Sequence, residues 1–174
     1  MPIEFSLKES KVLKDIFIIR PTISNDIRGN IWTSFLYQEI DRLIPKNLSF
    51  KHDKFSISEN NVLRGIHGDN KSWKLVSCVY GEIQQVIVDC NVGSTTYGKY
   101  ESLYLNQKNI ISVLIPPGYG NAYYVKSDKA VYHYKLAYAG NYFDYDQQFS
   151  RKWNDPEFSI NWDATNPLLS ERDK

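Results

Sequence analysis

Arg64 and His67 lie three positions apart in Asn61-Val62-Leu63-Arg64-Gly65-Ile66-His67, a stretch that reads as a β-strand. A guanidinium can hold an anionic group through paired hydrogen bonds, and an imidazole titrates near neutrality and can move a proton. Residues three apart on a strand point to opposite faces unless one extra residue bulges out, and Gly65 is where a bulge fits. With a bulge, both side chains enter one cavity, and the missing Cβ lets a ligand approach the backbone. The same heptapeptide also describes a sheet histidine beside a surface arginine, so alone it does not decide between the two.

A second stretch with chemical potential is Val131 to Tyr138. Tyr132, Tyr134, Leu136 and Tyr138 share one face; His133, Lys135 and Ala137 share the other. A tyrosine aimed inward beside a histidine would be a second proton-transfer group; the alternative is a ladder of tyrosines that packs the core. A metal centre is not expected. His52, His67 and His133 lie on strands whose alternation does not bring them together, and neither cysteine nor paired carboxylates complete a ligand set. Nor do Gly93, Gly98, Gly118 and Gly120 match the spacing of a phosphate-cradling loop.

These residues need strands to hold them. The sequence predicts strands over Val12–Arg20, Asn30–Phe35, Phe50–Ser58, Trp73–Tyr80, Glu82–Asp89, Tyr100–Leu105, Ile110–Ile115, Asn121–Lys126 and Ala130–Tyr138. One short helix is expected over Leu36–Leu43, where Leu36, Ile40 and Leu43 have helical spacing before Pro45. In Phe50–Ser58 the alternation of Phe55 and Ile57 with polar residues indicates a half-buried strand. Turn chemistry marks Asp26-Ile27-Arg28-Gly29, the polar run Gly68–Ser72, and Pro116-Pro117-Gly118. Short strands with turn signals every 8–12 residues indicate an all-β sandwich or barrel, and the tail from about Gly140 reads as loops with a short helical turn.

The 174 residues suit one domain spanning 1–174, and 13 tyrosines with 4 tryptophans favour a β-rich fold. Lys and Arg (21) nearly balance Asp and Glu (20), so no bulk field favours nucleic acid or an anionic membrane surface. The first residues lack a basic, then apolar, leader, and no run of about 18 apolar residues occurs. A cytoplasmic protein with reduced thiols at Cys78 and Cys90 is the expectation.

Several segments, in collinear order, resemble the dTDP-4-dehydrorhamnose 3,5-epimerase family. They are Asp26-x-Arg28-Gly29, Leu63-Arg64-Gly65-Ile66-His67, Lys74-Leu75-Val76, Gly81-Glu82 through Asp89, Ile115-Pro116-Pro117-Gly118-Tyr119, Tyr134-Lys135, Trp153-Asn154-Asp155-Pro156 and Leu169-Ser170-Glu171-Arg172-Asp173. The resemblance implies a cupin-type jelly-roll barrel with a few short helices. It implies His67 as general base, Asp173 as the carboxylate orienting it, and Tyr134 as general acid. Arg28, Arg64 and Lys74 would contact the nucleotide-sugar, with Lys74 beside the charge that develops on the keto oxygen. It further implies a nucleotide-diphosphate sugar as substrate, no cofactor, no metal, and a homodimer.

Two departures from the family pattern bear on substrate. Asn121 stands where the family has a second active-site histidine; an amide can hydrogen-bond an oxygen but cannot take a proton at neutral pH. His52-Asp53-Lys54 replaces the family's Gln-Asp-Asn, at positions that help bind the nucleotide. The pattern is similar to the branch acting on GDP-linked 4-keto-6-deoxy-heptose for capsular polysaccharide. The alternatives are the dTDP-rhamnose epimerase, a 3,4-ketoisomerase, and a non-catalytic sugar-binding cupin.

Overall fold

The computed structural model describes residues 3–142 and 145–174; Met1 and Pro2, the start of the leader region considered above, lie outside them. In chain order the first strands are β1 (Phe5–Glu9), β2 (Phe17–Pro21), β3 (Ile23–Asp26), β4 (Gly29–Trp32), β5 (Phe50–Glu59) and β6 (Leu63–Gly68). They continue as β7 (Trp73–Tyr80), β8 (Glu82–Asp89), β9 (Tyr100–Asn106), β10 (Ser112–Ile115), β11 (Tyr119–Val125), β12 (Lys129–Ala137) and β13 (Phe149–Ser150). A single turn of helix, α1 (Tyr37–Ile40), runs into a 3-10 turn over Asp41–Leu43 within the stretch read as helical.

Two sheets carry the fold. One has the order β1-β2-β10-β7-β12-β5 and the other β13-β6-β11-β8-β9, while β3 and β4 form a separate hairpin. Within the two large sheets every neighbouring pair is antiparallel. Val76, Cys78, Val113 and Tyr132 from the first sheet meet Ile83, Ile87, Tyr123 and Val125 from the second in one shared core. The result is the jelly-roll of the cupin type. Gly81 marks a corner of it: β7 and β8 are consecutive yet belong to opposite sheets. Its φ of +80° and a virtual Cβ only 2.1 Å from the Lys129 carbonyl oxygen leave room for glycine alone.

The alternation along β8 has no solvent face. Ile83 and Ile87 enter the shared core, while Val86 and Val88 are covered from outside by Phe158, Ile160 and Trp162 of the tail. The tail thus serves as a third layer over β6, β8 and β11, although it is almost without regular structure.

Three differences from the sequence reading have physical causes. The strand expected over Val12–Arg20 begins only at Phe17, because Lys11–Asp15 turn, with Val12 and Leu13 donating backbone N–H bonds to Ser10 Oγ. Its apolar Leu13 and Ile16 are buried all the same. The strand after the Asp26–Gly29 turn stops at Trp32 and does not reach Phe35. Most telling is β5: Phe55 and Ile57 point outward, 62% and 63% exposed, and Ser56 and Ser58 point inward. The polar face of this strand is the inner one because it faces a cavity.

Candidate active site

Gly65 sits in a bulge that sets the geometry of the site. Across the β6–β11 ladder His67 pairs with Asn121 and Arg64 with Tyr123, so three steps on β6 match two on β11. The extra residue returns the strand to the same face, and Arg64 and His67 both line one cavity of about 390 Å³. That is a size suited to a small organic ligand. Gly65 has φ +114°, and a Cβ there would meet Ala122 Cβ and the Asn121 carbonyl oxygen at 2.6 Å each. Gly65→Ala is therefore expected to lower stability by about 2–4 kcal/mol through overpacking and an unfavourable φ. Urea unfolding against the parent protein checks this, and turnover should fall further than stability explains because His67 is displaced.

The tail delivers the second member of the site. Leu168 N–H donates to the Asn61 carbonyl at 2.8 Å and Leu63 N–H to the Leu168 carbonyl at 3.0 Å, laying the chain along the start of β6. A 3-10 turn over Glu171–Asp173 then places the Asp173 carboxylate, 4% exposed, beside the imidazole. His67 Nε2 and Asp173 Oδ1 are 2.6 Å apart, and Ser170 Oγ donates to Asp173 Oδ2 at 2.8 Å. Burial pushes the Asp173 carboxyl up, but the hydrogen bonds from His67 and Ser170 outweigh it and hold the group below its ordinary value. An ionised carboxylate on Nε2–H fixes the tautomer with the lone pair on Nδ1.

Tyr134 and Lys74 come from β12 and β7 of the opposite sheet and line the same cavity. Burial, followed by the neighbouring Tyr123, pushes the Tyr134 phenol up, so it is held protonated and can act as a donor. Lys74 is buried, with Nζ 3.1 Å from Asp69 Oδ2. Apart from this ion pair the ammonium has no polar side-chain partner among the described residues, so protons remain available to a ligand oxygen. Burial acts upward on the Asp69 carboxyl, but the Lys74 charge and backbone N–H bonds from Lys71 and Ser72 hold it low. Asn121 and Lys54 complete the lining expected from the sequence.

Two expected residues do not reach this cavity. Arg28 occupies the tip of the β3–β4 hairpin, its side chain 86% exposed and paired with Asp26 at 2.5 Å, because a two-residue turn projects it away from the sheets. His52 stands on the inner side of β5, but its ring packs edge-on against Tyr142 at 4.4 Å between centroids, and Tyr142 lines the cavity in its place. Asp69, Tyr142 and Arg172 are among the lining residues not singled out from the sequence. Arg172 adds a further cation to Arg64, Lys54 and Lys74 in the lining, and its Nε donates to Ser150 Oγ at 3.0 Å. Its position next to Asp173 was the available signal. Asp69 and Tyr142 lie in irregular segments, where periodicity says nothing.

A site walled by two sheets of a cupin-type jelly roll, with an imidazole–carboxylate pair and a tyrosine on one cavity, is equipped for acid–base chemistry. Residues 10–174 match the dTDP-4-dehydrorhamnose 3,5-epimerase family, and the chain belongs to it. It is 34% identical over 165 residues to the dTDP-4-dehydrorhamnose 3,5-epimerase of Salmonella typhimurium, covering 92% of this chain and 88% of that one. Among solved structures, a dTDP-6-deoxy-D-glucose-3,5-epimerase of Legionella pneumophila in complex with dTDP-4-keto-L-rhamnose superposes with a TM-score of 0.89. It shares 31% identity over 98% of this chain and 90% of that one. NovW, a 4-keto-6-deoxy sugar epimerase from the novobiocin gene cluster of Streptomyces spheroides, gives a TM-score of 0.88 at 30% identity, over 98% and 85% of the two chains. The protein is an enzyme of the isomerase class, an epimerase.

Proposed function

We propose that the protein inverts C3, C5 or both in a nucleoside-diphosphate 4-keto-6-deoxy sugar. The observation that carries this is the His67–Asp173 pair on one sheet with Tyr134 on the other, both bounding one cavity. In such a sugar the hydrogens on C3 and C5 are acidified by the C4 carbonyl. His67 Nδ1 takes one of them, the C–H electron pair moves into the carbonyl, and an enolate oxygen forms. Asp173 steadies the imidazolium, and the Lys74 ammonium compensates the charge on the enolate oxygen. The Tyr134 hydroxyl then delivers its proton to the opposite face of the carbon, which regenerates the ketone with inverted configuration. The phenolate regains a proton from the imidazolium or from solvent. Arg64, Arg172 and Lys54 supply the cations that a diphosphate requires.

The working assembly in this reading is a homodimer. Phe55, Ile57 and Tyr80 are more than half exposed on the outside of the six-stranded sheet, with Ile31 of the hairpin 69% exposed beside Phe55. An apolar surface of this kind is suited to a second copy. Packing of that copy would let the projecting hairpin carry Arg28 to the other subunit's cavity, which accounts for an arginine in a family motif that its own chain leaves in solvent.

The named relatives favour a dTDP-linked 6-deoxy hexose as substrate. A GDP-linked 4-keto-6-deoxy-heptose is the second reading, favoured by Lys54 and Asn121 in the cavity lining, where the family pattern has other residues. Proton NMR in D2O with each 4-keto sugar separates them. The expected result is solvent deuterium at C3 or C5 together with an inverted product for one nucleotide series. A shifted keto group would indicate a ketoisomerase, and no change with either sugar a binding protein.

A further inference from the structure

Behind the cavity wall lies a polar cluster that the proton-transfer steps do not use: Gln85 on β8, Asn121 on β11 and Tyr132 on β12. All three are buried, Gln85 and Tyr132 completely. Gln85 Nε2 lies 3.1 Å from the Val86 carbonyl oxygen and 3.0 Å from that of Ala122. Two carbonyl acceptors can be met only by the amide nitrogen, so the backbone fixes which end of the Gln85 amide is which. The same nitrogen donates to Asn121 Oδ1 at 2.7 Å, and Gln85 Oε1 accepts from the Tyr132 hydroxyl at 2.5 Å. Tyr132 also lies 3.2 Å from Asn121 Oδ1. Reversing the Asn121 amide would set its nitrogen against the Gln85 nitrogen at 2.7 Å, donor against donor, so Oδ1 stays on the core side and Asn121 must present its amide N–H2 to the cavity. It does so directly opposite His67, its ladder partner.

We infer that Gln85 is a positioning residue that fixes Asn121 as a hydrogen-bond donor, so that this wall grips an oxygen of the sugar beside the carbon that His67 deprotonates. The inference rests on the epimerase reading above. A free asparagine can turn either end to a ligand, and a wall that reverses its polarity would hold the sugar in two ways. The relay from backbone carbonyl through Gln85 to Asn121 removes that freedom. It also makes the wall neutral at every pH near neutrality, so the cavity has one base on this sheet.

The test is a double-mutant cycle read by solvent deuterium incorporation and by kcat and KM, with the 4-keto sugar that the parent protein turns over. Gln85→Met, close in volume but without an amide, should lower kcat/KM about tenfold, the equivalent of one lost hydrogen bond. In an Asn121→Ala background the same change should have almost no effect, because there is no amide left to orient. Equal losses in both backgrounds would overturn the inference and leave Gln85 a packing residue. Asn121→Asp keeps the oxygen that Gln85 holds but turns a cavity acceptor where a donor stood; it should cost about 10²-fold or more in kcat. Turnover near the parent's in that variant would overturn the inference even if Gln85→Met fails to fold. If the parent protein itself incorporates no deuterium from solvent, the epimerase reading fails, whatever the cycle shows.

Discussion

His67→Asn should reduce turnover by about 10²–10⁴-fold while leaving the fold intact. Asparagine is near in size, and its amide can still meet the Asp173 carboxylate, which otherwise lies buried beside an imidazole at 2.6 Å. What it lacks is the basic lone pair that Nδ1 offers the cavity. Unfolding midpoints of the two proteins should lie close together, and deuterium incorporation next to the ketone should vanish along with product. Residual activity above a few per cent would mean that some other group removes the hydrogen. No other imidazole lines the cavity among the described residues: His133 faces the outside of its sheet, 2.7 Å from Asp53, and His52 packs edge-on against Tyr142.

Tyr134→Phe should give a different failure. The base remains, so hydrogen is still removed and returned on the His67 side, and the unchanged sugar should slowly gain solvent deuterium. The proton for the opposite face has no donor, and inversion should fall by about 10²-fold or more. Exchange without inversion is the signature to look for by NMR. Tyr134 is inserted among Tyr132, at 4.6 Å between ring centroids, and Tyr123, whose hydroxyl bonds Ser56 at 2.7 Å. Removing one hydroxyl leaves that packing in place. Loss of exchange and inversion together would show that Tyr134 is needed for the first step as well, through the position of the sugar.

Much of this site was legible in the sequence because strands have a period of two and glycine has a known use. The convergence of Arg64 and His67 needed a bulge, and the only residue between them without a side chain marked it. That Tyr132, Tyr134 and Leu136 share one face followed from alternation alone; Tyr138, grouped with them, lies one residue past the end of β12 at Ala137. Asp173 was reached by resemblance and not by pattern, since nothing in a 3-10 turn at the far end of a chain says that it returns to β6. Phe55 and Ile57 show the limit of alternation. Apolar residues on every second position mark one face of a strand but not the side of the sheet on which it lies, and here Phe55 and Ile57 are on the exposed outside while the inner face holds Lys54 and Ser56 around a cavity. Gln85 was illegible for another reason: a buried polar side chain is justified by its partners, and Asn121, Ala122 and Tyr132, distant in sequence, leave no periodic trace.

The bulge at Gly65 has a consequence for how such a site can change. Side-chain direction along β6 depends on whether the number of residues between two positions is odd or even, and residue type has no part in it. Loss of one codon between Arg64 and His67 would turn the imidazole into the layer occupied by Ile66, and gain of a second would do the same. Substitution can tune this pocket by small steps; insertion and deletion here can only switch its imidazole in or out.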